Sequence, residues 1–213
     1  MLFFSCCKTD GKNVLANKPM KLETNENSTI VCFGDSLTYG HGADSIETSF
    51  PMILQKKIII PVINSGVNDD TTADGLKRIQ KDVLDHNPVI VLIDFGGNDL
   101  YNSKPKLSIR EIENNFKEMI RILDNGNREI YIIRYFNNQM RMFDIFFRFD
   151  RMLDRIQKEY PNVRIVKNIW EGVWGKKEFK HDFTHPNSKG YEIIANNIFE
   201  EIKDVLEYNN LIK

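Results

Sequence analysis

From Thr29 onward the chain alternates two kinds of hydrophobic pattern. Short β-rich runs at Thr29–Phe33 (TIVCF), Pro61–Asn64, Val89–Phe95 (VIVLIDF), Glu129–Arg134 (EIYIIR) and Val163–Val166 predict strands. Between them the apolar spacing is helical. The predicted helices are Phe50–Ile59, Thr71–Leu84 with Leu76, Ile79 and Val83 on one face, Ser108–Leu123, residues 141–159, and a last one from about Asn187 to about Leu206. Ser108 with Glu111 three residues on reads as a capping box, and Asn125-Gly126 as the stop. Strands that alternate with helices argue for βαβ units and a parallel sheet. Near-continuous apolar strands fit a sheet covered on both faces. The expectation is one α/β domain over residues 29–213, three-layered, around a central, mostly parallel five-stranded sheet.

Before Thr29 neither period appears. Met1–Cys7 (MLFFSCC) is apolar, and the stretch to Ser28 is polar and aperiodic, so residues 1–28 are expected to form a disordered tether that adds nothing to the core. Apolar residues, then Ser, then Cys resemble the end of a bacterial lipoprotein signal, with Cys6 as the lipidated residue. The alternative is a frayed terminus with a chance Cys6-Cys7 pair. The two readings place the protein in the cell envelope, with membrane contact through a lipid anchor, or in the cytoplasm, and the residues leave both open.

Composition narrows the class. The chain has 213 residues, 41% hydrophobic and 28% charged, within the range of ordinary globular domains. Lys and Arg number 29 against 30 Asp and Glu, so no basic field argues for nucleic acid. No apolar run approaches the roughly 20 residues that span a bilayer. Three Cys cannot build a disulfide framework, and the four His show no zinc-ligand spacing with them. No metal or cofactor is expected.

In doubly wound sheets, functional groups gather beyond the carboxyl ends of the strands. Unusual polar residues stand at those places here. They are Gly34-Asp35-Ser36-Leu37 after the first strand, Asn64-Ser65-Gly66 at the second, Gly96-Gly97-Asn98-Asp99 after the third, and Asp182-Phe183-Thr184-His185-Pro186 before the last helix. Together, and in this order, these blocks resemble the SGNH hydrolases, also called GDSL esterases and lipases, over Gly34 to Pro186. The resemblance implies a flavodoxin-like fold and a cofactor-free serine esterase. It implies Ser36, Asp182 and His185 as the catalytic residues. It also implies an oxyanion hole from the Ser36 and Gly66 backbone N–H groups and the Asn98 amide. One departure stands out: where many relatives carry a second glycine, three residues after Gly66, this chain has Asp69.

The residue chemistry agrees. A serine hydroxyl needs a base to take its proton. His185 is the natural base, and Asp182, three residues earlier, is one turn away from fixing its tautomer. Pro186 suits the first turn of the following helix. Asp35 and Asp99 read as loop-holding residues, His181 as a bystander, and His41 as a surface residue or pocket wall.

The flanks GDSLTYGHG, Phe50-Pro51 and Trp170–Gly175 resemble the bacterial thioesterase, lysophospholipase and arylesterase branch. That implies small acyl esters or thioesters as substrates. A carbohydrate or peptidoglycan O-acetyl esterase of the same mechanism is the alternative, and a non-catalytic binding domain a further one. Met142, Phe146, Phe149 and Leu153 form a stripe, with Phe143 and Phe147 beside it, expected to pack on the sheet, with an acyl groove or membrane surface as the other reading. Arg141, Arg148, Arg151 and Arg155 alternate with Asp144, Asp150 and Asp154 and read as a solvated face.

Overall fold

A computed structural model describes residues 18–101, 106–135 and 144–213. Five strands, β1 (Thr29–Gly34), β2 (Val62–Gly66), β3 (Pro88–Asp94), β4 (Glu129–Ile133) and β5 (Val163–Val166), form one sheet in the order β2-β1-β3-β4-β5. Every pairing is parallel. Parallel neighbours need crossovers, and the helices supply them. They are α1 (Ser36–Tyr39), α2 (Phe50–Gln55), α3 (Thr72–Asp82), α4 (Gly97–Tyr101), α5 (Ile109–Leu123), α6 (Asp144–Glu159) and α7 (Ser188–Tyr208).

Successive strand side chains point to opposite faces, so each strand feeds two cores. Ile30, Cys32, Ile90, Leu92, Tyr131 and Ile133 pack towards α2 and α7. Val31, Phe33, Val91, Ile93, Ile130 and Ile132 pack towards α3, α5 and α6. Both sets are buried, which is why these strands read as continuous apolar runs rather than as alternations. Cys32 is a free, fully buried thiol, pushed up by burial and by the Asp94 carboxylate.

The caps follow the sequence. Ser108 Oγ accepts from the Glu111 N–H at 3.3 Å, and the Glu111 carboxylate accepts from the Ser108 N–H at 2.7 Å. Thr71 and Asp74 form a second box at the start of α3. Asn187 caps α7, its side chain accepting from the Gly190 N–H. Pro186 therefore lies one residue before the cap, not inside the first turn as expected.

The boundary at Thr29 also needs correction. Residues 18–28 lie along the domain. The Met20 N–H donates to Glu129 Oε1 at 2.9 Å, the Leu22 N–H to Asn209 Oδ1 at 2.9 Å, and the Glu23 N–H to Asn127 Oδ1 at 3.1 Å. Asn209 Nδ2 returns a bond to the Met20 carbonyl, and Leu22 is buried in the core beneath α7. A single leucine with backbone clips leaves no periodicity to read. Cys6, Cys7, Arg141, Met142 and Phe143 lie outside the described residues.

Candidate active site

The chain runs from β1 to β2 on one side and crosses to β3 on the other. The order thus reverses between the carboxyl ends of β1 and β3, where doubly wound sheets open a crevice. Beyond β1 the backbone turns sharply into α1. A Cβ on Gly34 would lie 2.2 Å from Thr38 Oγ1 and 2.5 Å from the Asp94 carbonyl oxygen, so only glycine lets the turn close. Asp35 caps α1, its Oδ1 accepting from the Leu37 N–H at 3.1 Å. That leaves Ser36 as the first residue of α1, where a helical N–H has no partner within the helix.

Ser36 Oγ stands 2.9 Å from His185 Nε2, and His185 Nδ1 stands 2.8 Å from Asp182 Oδ2. Asp182 Oδ1 accepts from the N–H groups of Thr184 and His185, both at 2.7 Å. Burial alone would raise the Asp182 carboxyl, but the His185 ring and these two N–H groups outweigh it and hold it at about 2. His185 is shifted down, chiefly because burial disfavours the imidazolium; the Asp182 carboxylate offsets part of this. A neutral imidazole with one nitrogen held by a carboxylate and the other facing a hydroxyl can take that hydroxyl's proton. Ser36, Asp182 and His185 are therefore brought together as the sequence suggested.

Other expectations divide. Asp99 holds a loop: it accepts from the Thr72 N–H and from Thr72 Oγ1 at the start of α3. The His41 ring lies 4.5 Å from that of His185 and 5.8 Å from that of His181, so His41 is an exposed residue beside the base. His41, Asp182 and His185 bring possible metal-ligand atoms within 4.8 Å of one another. Both His185 nitrogens are already engaged with Ser36 and Asp182, as in a proton relay. On α6, Phe149 and Leu153 pack in the core as expected. Phe146 also borders the cleft.

Gly66 is a correction. Its N–H is committed to Asn64 Oδ1 at 3.0 Å. A Cβ there would lie 2.0 Å from the Tyr39 nitrogen, so the glycine serves the close approach of α1 to β2. It does not border the cleft. Asp69, three residues on, does, with its backbone in the left-handed region at φ 66°. Asn98 borders the cleft too. Its Nδ2 donates to the Asp70 carbonyl at 3.0 Å and has a longer contact of 3.4 Å to Asp35 Oδ2.

Two residues that the sequence reading passed over support this loop. Arg78, on α3, donates to Asp70 Oδ2 at 2.6 Å, to Asp82 Oδ2 at 3.1 Å, and to the Ser65 and Gly34 carbonyls, both at 2.9 Å. Its guanidinium stacks on Phe33, 4.6 Å from the ring centre. Asp94 closes β3 beneath the nucleophile turn and accepts from Thr38 Oγ1 at 2.8 Å. Burial pushes its carboxyl far up. The same burial, with Asp94 beside it, raises Asp35. An aspartate ending an apolar run (VLIDF) was the available signal for Asp94; a basic residue beside Lys77 and Lys81 on an amphipathic helix gave none for Arg78.

The cleft has a volume of about 640 Å³, and Tyr101, Tyr135, Ile145, Phe146 and Trp174 give it apolar walls. Another hollow of about 550 Å³ is lined by Lys56, Lys57, Ser188 and Lys189, and its serine hydroxyl is spent in donating to Asp44 Oδ2 at 2.6 Å.

A profile of the GDSL-like Lipase/Acylhydrolase family matches residues 32–193. An arylesterase of Vibrio mimicus is 28% identical over 183 residues, 81% of this chain and 87% of that protein. Thioesterase 1/protease 1/lysophospholipase L1 of Escherichia coli K12 is 25% identical over 188 residues, 85% and 86% of the two chains. Among solved structures, the crystal structure of TesA superposes with a TM-score of 0.73 at 20% identity, covering 84% of this chain and 99% of that one, a likeness in fold. With the profile spanning residues 32–193, most of the domain, the chain belongs to the GDSL-like lipase/acylhydrolase family and is a hydrolase acting on esters.

Proposed function

We propose that the protein is a serine esterase for acyl esters or thioesters, working through an acyl-enzyme. The observation that carries this is the continuous relay from Ser36 Oγ through His185 to Asp182, with steps of 2.9 and 2.8 Å. Ser36 Oγ attacks the substrate carbonyl carbon while its proton passes to His185 Nε2. The tetrahedral intermediate collapses, His185 returns the proton to the departing alcohol or thiol, and the acyl group stays on Ser36. Water, deprotonated by the same imidazole, then releases the acid. Asp182 holds the tautomer and the imidazolium.

The developing oxyanion is met by the Ser36 N–H and the Asn98 amide, whose weaker contact to Asp35 is the one exchanged. The backbone at Asp69 takes the place expected of Gly66. The acyl chain lies against Ile145, Phe146 and Tyr101. An enzyme restricted to acetyl groups has no use for so long an apolar wall, which favours acyl esters over the O-acetyl reading.

The test is a fluorophosphonate probe followed by p-nitrophenyl esters from acetate to palmitate, with Ser36→Ala as control. Labelling of wild type alone and a medium-chain optimum are expected. No labelling would overturn the serine mechanism, and an acetate-only profile would overturn the acyl cleft.

A further inference from the structure

Asp69 is unusual in both backbone and charge. It is an exposed non-glycine residue at φ 66°, on the loop that Asn98 and Arg78 hold against the nucleophile turn. Its carboxylate has no hydrogen-bond or ion-pair partner among the described residues. The nearby cation is turned elsewhere, since Arg78 is engaged with Asp70, Asp82 and two carbonyls through four bonds. Among the described residues bordering the cleft there is no lysine or arginine. Its other carboxylate, Asp35, is fully buried and held towards its neutral form. Among the described residues, a negative charge without a counter-ion therefore stands at the rim of a cleft whose larger side chains are aromatic and aliphatic.

We infer that Asp69 selects esters whose leaving alcohol or thiol carries a positive charge, such as a substituted ammonium group. The inference rests on the esterase reading above and adds the leaving group to it. The apolar end at half-buried Ile145 and buried Phe146 takes the acyl chain, which leaves the exposed rim at Asp69 to the departing group. The rim also offers Trp174 and Phe183, the latter 82% exposed. Ring faces attract alkylammonium groups and do not attract anions. Charge and rings thus act in the same direction. A single exposed charge pair gives about fivefold at most at low salt. The same charge repels an anionic leaving group by a similar factor, so cation and anion should differ by about 25-fold.

The experiment compares kcat/KM for three thioesters with one acyl group. These are S-butyrylthiocholine, its uncharged isostere S-(3,3-dimethylbutyl) thiobutyrate, and the anionic S-butyryl-2-mercaptoethanesulfonate. Asp69→Asn is the informative variant, because asparagine also tolerates the left-handed backbone and only the charge is removed. The readout is the ratio between substrates, so any loss common to all three cancels. Wild type should prefer the cation over the isostere by about fivefold at low salt, and the preference should shrink in 0.5 M NaCl. In Asp69→Asn it should fall below twofold, with the anion regaining ground. Equal rates for cation and isostere in wild type, or a preference unchanged in Asp69→Asn, would overturn the inference. p-Nitrophenyl butyrate separates the two failures: hydrolysis of it without charge preference sinks only the role of Asp69, whereas no hydrolysis at all sinks the esterase reading as well.

Discussion

Replacing Arg78 by methionine keeps the volume and the packing on Phe33 but removes every bond of the guanidinium. Asp70 and Asp82 then lose their cation at a site where the Arg78 and Asp70 side chains are only 15% and 16% exposed. Removing one partner of a buried pair costs about 3–5 kcal/mol, because the other charge is stranded. For a chain of this size that is a melting temperature lower by roughly 6–20 °C. The loss must also depend on pH. Asp70 is already raised by burial, with Arg78 holding it partly down, so without Arg78 it climbs further above its unfolded value. A group raised in the folded state favours folding below the unfolded pKa, about 3.9, and loses that contribution as pH rises through the folded value. The deficit relative to wild type should therefore be smaller at pH 5 than at pH 8. Activity should fall too, since the loop that positions Asn98 through the Asp70 carbonyl loses its clamp. A displacement of about 1 Å at a reacting centre costs up to about 10² in rate. Thermal melts at the two pH values and kcat on a soluble ester test this. Melting within about 2 °C of wild type at both, with kcat retained, would refute the clamp.

The remaining predictions concern the relay, the oxyanion donors and the amino-terminal segment. Ser36→Ala and His185→Ala should each abolish nearly all ester hydrolysis, and Asp182→Asn should lose less; a dead His181→Ala beside an active His185→Ala would overturn the assignment. The pH profile of kcat/KM should rise with a midpoint below 6.5, since burial keeps His185 unprotonated to lower pH. His41→Ala should move that midpoint up, and a midpoint above 6.5 in wild type would contradict the burial argument. Asn98→Ala should lower kcat by about 10²–10³ with little change in KM, whereas Gly66→Ala should show itself first as a folding defect, read by circular dichroism. Leu22→Ala should destabilise by about 2–5 kcal/mol in a denaturant titration, and an unchanged midpoint would return residues 18–28 to the status of a loose tether.

What the sequence discloses and what it hides divide along physical lines. The strands were legible because both faces are buried, so Ile90–Ile93 read as one apolar run. α5 was legible through its capping box, Ser108 with Glu111. The meeting of Ser36, His185 and Asp182 was legible because each stands at a strand or helix end. Gly66 misled because a glycine is needed both where an oxyanion is bound and where two backbones nearly touch, and only the position of Tyr39 distinguishes the two. Arg78 was hidden because its partners, Gly34, Ser65, Asp70 and Asp82, are scattered along the chain. Leu22 was hidden because one buried residue makes no period.

The clips on residues 18–28 have a mechanical consequence. Glu129 and Asn127 lie at the start of β4, and Asn209 lies at the far end of α7, all at the pole opposite the carboxyl ends that frame Ser36. A pull applied at Lys18 would be shared between β4 and α7 before it reached β1, and its line of force would point away from the cleft. A molecule held by that pole keeps its mouth turned outward. Tension on that pole would strain the clips before it strained the triad.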